Sequence, residues 1–164
     1  MEFEEFCREQ LSGLVRFAAA LTGDAALAQD LVQDALVRIW PRWPRVSRLE
    51  RPDLYLRKMV VNGHLSWRRR WYQRSVRASP DLAEAGHPVL ADPAARIADA
   101  DQLAELLGEL NGRQRAAIVL RFFEDRDDAE IAEVLGCEQA TVRSCVSRGL
   151  SALRLRLHTE PAEA

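Results

Sequence analysis

Apolar residues recur every three or four positions along most of this chain, and no segment alternates apolar and polar residues for long. That interval places side chains on one face of an α-helix, whereas a strand would need a period of two. The clearest example spans residues 25–40, where one face carries Leu27, Leu31, Ala35 and Ile39. The sequence therefore predicts an all-α fold.

Glycine and proline mark where the predicted helices end. The first helix is expected at roughly 2–21 and stops at Gly23, after which Asp24 is placed to cap the second helix. Pro41 ends the second helix, because the residue before a proline avoids the helical conformation. A loop containing three prolines follows, and a third helix is expected from about Asp53.

We predict two small helical domains, 1–74 and 94–158, joined by an irregular linker at 75–93. The amphipathic pattern disappears between the two domains, where the sequence is rich in Pro, Ala, Ser and Asp. Such a composition is typical of linkers. In the second domain, helices are expected near 94–109 and 112–123.

A segment near the C-terminus has the spacing of a helix-turn-helix. The steep crossing of two short helices demands a small residue at the contact, a glycine that can adopt positive φ, and a branched apolar anchor on the second helix. Ala132, Gly136 and Val142 occupy those three places. Asp127 and Glu130 have the spacing of a capping box at the start of the motif. The second domain is therefore expected to end in a helix-turn-helix.

The second helix of this motif presents cations and hydroxyl groups opposite an apolar stripe. The stripe comprises Val142, Val146, Leu150, Leu153 and Leu157. The opposite face carries Arg143, Ser144, Ser147, Arg148, Ser151 and Arg154. Arginine can grip phosphate or read a guanine edge, and serine can bond to either. An ordinary surface helix could also lack carboxylates, but most surface helices mix both charges, so we favour a DNA-binding face.

The formal net charge of −2 hides an uneven distribution of charge along the chain. Residues 38–77 contain twelve lysines and arginines against two acids, and 139–157 contain four arginines and no acid. Acids outnumber bases by seven to two in 1–37 and by fourteen to five in 81–138. Two basic blocks that alternate with two acidic ones fit a protein that meets phosphates at two places and another partner elsewhere.

The first basic block places aromatic side chains among cations, in the stretch "RKMVVNGHLSWRRRWYQR". Trp67, Trp71 and Tyr72 could stack on unpaired bases, worth ~1–3 kcal/mol per base, while the arginines follow the nucleic-acid backbone. Alternatively, Trp67 and Trp71 lie one helical turn apart and anchor the hydrophobic core, with the arginines on a solvated face. The core interpretation is favoured for the tryptophans, whereas the arginine run favours nucleic-acid binding.

The sequence offers no motif for catalysis or for binding a metal or cofactor. It contains no P-loop, GxGxxG or HExxH pattern, and its three cysteines form no CxxC pair. No apolar run approaches the ~20 residues of a membrane helix, and the acidic start "MEFEEFCREQ" is unlike a signal peptide. We therefore expect a cytoplasmic protein with free thiols, no enzymatic activity, no cofactor and no membrane insertion. Only "HTEPAEA" follows the last predicted helix, so a C-terminal regulatory domain is not expected.

The order of the segments is distinctive: "DLVQDALVRIW", "LYLRKMVVNGHLSWRRR", an irregular linker, "RQRAAIVLRFFED" and then the helix-turn-helix. In this order they resemble the extracytoplasmic-function (group IV) RNA polymerase sigma factors of bacteria. The resemblance covers residues 6–157, and "LRFFED" and "LGCEQATVRSCVSRGLSALR" are most similar to the SigE-like sigma factors of actinobacteria. It implies a protein that gives RNA polymerase promoter recognition and starts transcription.

The resemblance implies a docking role for the second helix. In the family, a "D-x-x-Q-[DE]" stretch binds the clamp helices of the polymerase β′ subunit. The matching residues here are Asp30, Gln33 and Asp34. Their acidic, outward-facing position in the predicted helix agrees with that role.

The resemblance also implies a −10 site on the third helix. In the family, the segment that matches the surroundings of Asn62 forms the pocket for a flipped base of the non-template strand. Arg68, Arg69 and Arg70 would hold the backbone of that strand. In the linker, the carboxylates of Asp81, Glu84 and Asp92 would keep the chain from binding DNA irreversibly on its own.

For the second domain, the resemblance implies that the recognition helix enters the major groove of the −35 element through Arg143, Ser144 and Arg148, and Ser147 lies on the same face. The expected partners are promoter DNA and core RNA polymerase, through its β′ clamp helices and β flap. An anti-sigma factor is a common further partner in the family.

Three positions depart from the family pattern. Cys145 stands where members often have Arg or Gln, and Glu138 replaces a usual serine at the start of the recognition helix. These two departures leave the −35 sequence preference open. Asn111 stands where a proline commonly opens the preceding helix, and Asn is itself a good helix cap.

Two other functions compete with that of a sigma factor. A free-standing helix-turn-helix regulator would bind an operator without core polymerase, and it would not need a basic, aromatic first domain. An adaptor that sequesters another protein would have lost its DNA contacts, yet the arginines are present. A sigma factor accounts for two basic surfaces and one acidic surface together.

Overall fold

The computed structural model describes residues 1–78 and 98–159, and all regular secondary structure in these two ranges is helical. The helices are α1 (Phe3–Thr22), α2 (Ala25–Ile39), α3 (Trp43–Val46), α4 (Pro52–Ala78), α5 (Ala98–Gly108), α6 (Gly112–Ile118), α7 (Asp128–Leu135) and α8 (Gln139–Thr159). The all-α prediction is therefore confirmed. Within the two ranges, no helix has the length and apolar character needed to cross a membrane.

The turn between α1 and α2 forms as its sequence predicts. Gly23 has a φ of 68°, a left-handed conformation that favours glycine, and its N–H donates to the carbonyl of Ala19 at 2.8 Å. The carboxylate of Asp24 caps α2 by accepting hydrogen bonds from the N–H groups of Ala26 and Leu27.

The segment between α2 and α4 is helical over much of its length, so the prediction of a proline-rich loop there is wrong. A 3₁₀ turn covers Trp40–Arg42, and the short helix α3 follows it directly. Pro41 and Pro44 each occupy one of the first two positions of these elements. A proline is tolerated there because the N–H it lacks has no partner in the first helical turn.

The buried face of α2 is displaced from the predicted stripe. The buried residues are Ala28, Val32, Ala35 and Ile39, whereas Leu27 and Leu31 are half-buried. The displacement arises because α2 packs against both α1 and α4. Leu31 instead lies at the margin, over Gly63 of α4.

The long helix α4 has a buried first half and an open second half. Its fully buried side chains include Leu54, Leu56, Val60 and Val61. From residue 66 to residue 76 every side chain is half-buried or exposed. The helix runs through Ala78, beyond the predicted start of the linker at residue 75. The linker carboxylates Asp81, Glu84 and Asp92 lie outside the described residues.

In the second half, α6 continues without a break into a π-helical turn at Val119–Phe123. Asn111 caps α6, because its side-chain oxygen accepts the N–H of Gln114 at 2.9 Å. The expected helix at 112–123 is therefore present, with a wider final turn. Buried apolar side chains from α6, α7 and α8 form the core of this half: Ala116, Ala117, Ile118, Ile131, Val134 and Val142.

The two halves pack against one another in this structure. Helix α4 contacts α6 and α7, and α1 contacts the π-helical turn. Gly112 at the start of α6 allows close approach, since a Cβ there would lie 2.3 Å from Cδ2 of Leu65 in α4. The buried residues of both halves consequently form one continuous cluster.

Candidate nucleic-acid and polymerase interfaces

The helix-turn-helix forms with the geometry that its spacing predicts. Gly136 has a φ of 64°, and its N–H donates to the carbonyl of Ala132. Val142 is fully buried and anchors α8. The capping box is present in both directions, with the Glu130 N–H to Asp127 Oδ1 at 2.9 Å and the Asp127 N–H to Glu130 Oε2 at 3.0 Å. The motif therefore holds α8 at a fixed angle to α7.

The outer face of α8 presents the candidate −35 contacts to solvent. Arg143, Ser147 and Arg148 are exposed, and Ser144 is half-buried. Arg143 lies 3.5 Å from a carboxylate oxygen of Asp128, but its side chain is 60% exposed. An exposed pair of this kind is weak, so Arg143 remains available to another anion.

The apolar stripe of α8 is shorter than expected. Leu153 still packs against the core, but Leu157 is 55% exposed. Helix α8 packs mainly against α6 through Gly149, where a Cβ would lie 2.5 Å from Cδ1 of Ile118. The last turns of α8 extend beyond α6, which explains the exposure of Leu157.

The candidate −10 residue Asn62 lies in a cleft between α2 and α4. Asn62 is exposed and lines a cavity of about 430 Å³. The same cavity is lined by cations, an aromatic ring and one carboxylate: Arg38, Arg42, Lys58, Arg70, Tyr55 and Asp34. Sequence reasoning missed Arg38, Arg42, Tyr55 and Lys58 as part of this surface. All four residues lie in the first basic block, 38–77, and this was the only feature of the sequence that could have indicated them.

The three consecutive arginines of α4 have different surroundings. Arg69 and Arg70 are exposed, but Arg68 is half-buried and its Nη2 donates to the carbonyl of Leu110 at 3.1 Å. Burial lowers the pKa of Arg68. In this arrangement the guanidinium of Arg68 is held by a hydrogen bond to the second half of the chain.

The tryptophans of α4 are half-buried and stack on one another. The ring centroids of Trp67 and Trp71 are 6.5 Å apart, and Trp67 also stacks on the buried His64 at 6.2 Å. Neither ring belongs to the hydrophobic core cluster or to the side chains packed against it, so these contacts do not confirm the core interpretation. Tyr72 is exposed.

A second cleft is lined by a part of each candidate nucleic-acid surface. Its volume is about 430 Å³, with Arg68 and Arg69 on the α4 wall and Arg113 and Arg148 on the other wall. Cys145 also lines it. The structure thus brings together candidate −10 and −35 residues that are 79 or more positions apart in sequence. No feature of the sequence predicts that these residues lie close together.

The candidate polymerase-docking residues form an acidic outer face on α2. Asp30, Gln33 and Asp34 are all exposed. Asp34 pairs with Arg38 one turn later at 3.0 Å, with both side chains more than half exposed. Val37 lies beside them and is 66% exposed, which gives this face an apolar element that the sequence pattern did not single out.

Comparisons with known proteins agree along the length of the chain. The family profile of sigma-70 region 2 matches residues 7–74, and that of sigma-70 region 4 matches residues 100–153. The chain is 34% identical to an RNA polymerase sigma-E factor of Streptomyces avermitilis, over 100% of this chain and 89% of that protein. It is 34% identical to the ECF RNA polymerase sigma factor SigL of Mycobacterium tuberculosis, over 91% and 85%.

Among solved structures, the fold is similar to the sigma factor RpoE of Bartonella quintana, determined in complex with the anti-sigma factor NepR. The TM-score is 0.76 at 23% identity, and the match covers 97% of this chain and 98% of that one. With two region matches in order and full-length relatives above 30% identity, this chain belongs to the sigma-70 family of RNA polymerase sigma factors, in its extracytoplasmic-function group.

Proposed function

We propose that this sigma factor directs core RNA polymerase to promoters through three surfaces of its own. These are the acidic face of α2, the cationic cleft around Asn62, and the outer face of α8. The observation that carries the proposal is the presence of two cationic surfaces, one on each half of the chain. A regulator that binds an operator alone would need only the helix-turn-helix.

The outer face of α8 would read the −35 element in the major groove. Arg148 and Arg143 can bond to phosphates or bidentately to guanine, and Ser144 and Ser147 can bond to either kind of group. Because Gly136 and Val142 fix the angle of α8, these side chains would meet the duplex as one rigid face.

The cleft around Asn62 would capture a flipped base of the −10 element. The amide of Asn62 can both donate and accept, and Tyr55 offers an aromatic ring in the same cleft. Arg69 and Arg70 would follow the strand's phosphates, and Arg68 would join them once released from Leu110. The arginines would thus position the strand electrostatically, and the cleft would capture the flipped base.

The acidic face of α2 would dock on the β′ clamp helices. Asp30, Asp34 and Gln33 supply charge and hydrogen bonds, and Val37 supplies apolar area. We assign residues 1–74 to a region 2-like domain, 75–93 to a linker and 94–158 to a region 4-like domain that also contacts the β flap. Sigma factors are regulators rather than enzymes, and we propose no catalytic activity for this chain.

The setting of the protein follows from the same assignment. Sigma factors act on RNA polymerase, and we place this one with it in the cytoplasm. The RpoE neighbour is in complex with an anti-sigma factor, and we include a partner of that kind in the proposal.

Run-off transcription tests the proposal. Purified protein is combined with actinobacterial core polymerase freed of sigma and with sheared genomic DNA of the source organism, and the transcript starts are mapped. Discrete starts that vanish without this chain would support it and would reveal both promoter elements. An absence of starts, combined with duplex binding by the chain alone, would favour a free-standing regulator.

A further inference from the structure

Four arginines line the cleft between α4 and the second half of the chain, which we call the arginine cleft. Arg68 and Arg69 come from α4, and Arg113 and Arg148 come from α6 and α8. Its volume of about 430 Å³ lies within the range of ~300–1,000 Å³ that is typical of sites for small ligands. Among the described residues, the rest of its lining includes no carboxylate and no aromatic ring: Leu65, Asn111, Gly112, Gln114 and Cys145.

Elsewhere along the boundary between the halves, arginines are matched by carboxylates. Arg57 is 5% exposed, and its Nε and Nη2 lie 2.5 and 3.1 Å from the two carboxylate oxygens of Glu124. Arg51 lies 2.8 Å from Glu130 in the same way. The first half brings one excess positive charge to this network and the second one excess negative charge, so the network is neutral. Its members are Arg51, Asp53 and Arg57 from the first half, and Glu124, Arg126 and Glu130 from the second.

The arginine cleft has no such compensation. Arg69, Arg113 and Arg148 are exposed, and in the part of the chain that the structure describes none of the three forms an ion pair. Arg68 donates from Nη2 to the carbonyl of Leu110 at 3.1 Å, and this partner carries no net charge. The positive charge of the cleft is therefore left for an anion from outside the described residues.

The buried arginines beside this cleft show that positive charge is disfavoured there. Burial lowers the pKa of Arg68. Arg115 of α6 is 4% exposed and donates to the carbonyl of Ala20, and its pKa is lowered to about 10, first by burial and then by the charge of Arg68. A lowered pKa means that the surroundings disfavour the cationic form. An anion bound beside Arg68 would offset that effect.

The two clefts along α4 suit different chemical groups. The cleft around Asn62 contains the ring of Tyr55 and the carboxylate of Asp34 in addition to its cations, and an aromatic ring suits a base. The arginine cleft offers guanidinium and amide donors without such a ring, which suits phosphate oxygens. Arg69 and Arg70 are consecutive in sequence, yet Arg69 lines the arginine cleft and Arg70 lines the cleft around Asn62.

A single phosphate group carries a charge of about −1.5 to −2 near neutral pH, which is about half of what four arginines would match. We propose that the arginine cleft binds a small ligand with linked phosphates, either inorganic triphosphate or the triphosphate group of a nucleotide. The ligand is held by both halves of the chain at once. This site goes beyond the proposed function, because Arg113 has no part in the proposed promoter contacts.

Isothermal titration calorimetry of the full chain with inorganic triphosphate tests the site. The titrations omit magnesium and contain about 0.15 M salt, which screens weak attraction between exposed charges. We expect saturable binding of the triphosphate, with orthophosphate at least about tenfold weaker because it reaches fewer of the arginines. No binding of triphosphate in either form, or orthophosphate bound as tightly, would overturn the proposal.

A parallel titration with adenosine triphosphate identifies the source of the phosphates. An affinity equal to or below that of inorganic triphosphate supports recognition of the linked phosphates alone. A higher affinity supports a nucleotide as the ligand.

Substitutions of single arginines locate the site. Arg69→Gln and Arg113→Gln each remove a cation from a different half, so each should weaken triphosphate binding at least about tenfold. Arg70→Gln and Arg143→Gln are the matched controls, because both arginines are exposed and lie on the proposed promoter-binding surfaces but do not line the arginine cleft. Both controls should bind triphosphate as wild type does.

Equal losses in all four variants would show general attraction to the basic surfaces and would overturn the proposal. A loss in only one of Arg69→Gln and Arg113→Gln would refute a site shared by the two halves. Far-UV circular dichroism establishes that each variant retains its helices.

Two further outcomes separate this proposal from nucleic-acid binding. Fluorescence anisotropy with single-stranded DNA of about 20 nucleotides gives the affinity for nucleic acid. If Arg113→Gln weakens DNA binding while triphosphate does not bind the wild type, the cleft serves nucleic acid and the proposal is wrong. Triphosphate binding that responds to the variants as expected, together with failed run-off transcription, would count against the proposed function alone.

Discussion

At the scale of single residues, local chemistry explains which predictions held. Asp24 and Asn111 cap their helices through their side chains, and Gly23 ends α1 in a left-handed conformation. Such caps depend only on neighbouring backbone groups. Arg68 was different: its bond to Leu110 joins residues 42 positions apart. No local pattern separates Arg68 from Arg69, although the structure gives them different surroundings.

Arg148 provides the residue-scale test of the −35 surface. It is exposed on α8, so Arg148→Ala should leave the fold intact while weakening promoter binding by about 1–3 kcal/mol. The measurement is holoenzyme affinity for promoter fragments altered in the −35 region, alongside affinity for core polymerase. Arg8→Ala, an exposed arginine on α1, is the control. A matching loss of core affinity would give Arg148 another role.

At the scale of elements, the apolar pattern identified the helices, and their packing partners determined which face of each helix is buried. The apolar spacing of α2 correctly identified a helix, but contact with both α1 and α4 moved its buried face from Leu27 and Leu31 to Ala28 and Val32. Pro41 and Pro44 suggested a loop, yet both fit first-turn positions where proline costs no hydrogen bond. The period of the apolar residues identifies a helix, whereas the helices packed against it determine which of its faces is buried.

The outer face of α2 can be tested as a unit. Changing Asp30 and Asp34 together to Lys reverses its charge, so affinity for core polymerase should fall at least about tenfold, while binding of isolated promoter DNA should not weaken. Changing Glu5 and Glu9 of α1 together to Lys gives the same charge change at the same spacing on another exposed face. Equal core affinity in the two double variants would refute the docking assignment.

Two helical glycines offer a matched test of helix packing. A Cβ at Gly149 would lie 2.5 Å from Cδ1 of Ile118, whereas a Cβ at Gly13 would meet only the end of Arg57 at 3.7 Å. Gly149→Ala should therefore lower the free energy of unfolding by about 1–3 kcal/mol through overpacking. Gly13→Ala should be neutral or stabilise by about 1 kcal/mol through helix propensity. Urea unfolding measures both, and equal effects would contradict the close approach of α8 to α6.

At the scale of the whole molecule, the sequence predicted the parts better than their arrangement. Helical period, the helix-turn-helix glycine and the charge blocks each reflect residues that are close in sequence. The boundary between the halves depends on pairs such as Arg57 and Glu124, which are 67 positions apart. Each arginine in such a pair is equally compatible with a solvated helix face. A single sequence therefore does not show which distant carboxylate the arginine pairs with.

Acid should weaken the network at this boundary. Burial by itself raises the pKa of Asp53, but the hydrogen bond and charge of Arg51, with Arg126 and Arg57, outweigh burial and hold that pKa below the ordinary 3.8. The pKa of Glu130 lies below the ordinary 4.5, first through the Asp127 N–H and then through Arg51. A carboxylate with a depressed pKa contributes stability above its ordinary pKa and loses it as pH falls through the folded value.

The free energy of unfolding should therefore decline as pH falls below about 4.5, in proportion to the protons taken up on unfolding. Urea titrations between about pH 6 and about pH 3 measure the decline. The variant Asp53→Asn lacks one of these carboxylates, so its decline should be shallower than that of wild type. Parallel curves for the two proteins would show that Asp53 does not contribute to acid sensitivity.

The complementary charges of the two halves also bear on how such proteins can be recombined. One excess cation lies on the first half, around Arg51 and Arg57, and one excess anion lies on the second, around Glu124 and Glu130. A chimera that joins the first half of this chain to the second half of another sigma factor inherits only one side of that match. If α8 reads the −35 element as we propose, the promoter preference of the chimera would follow the donated α8. The packing of its two halves would instead depend on whether the foreign half carries the matching carboxylates.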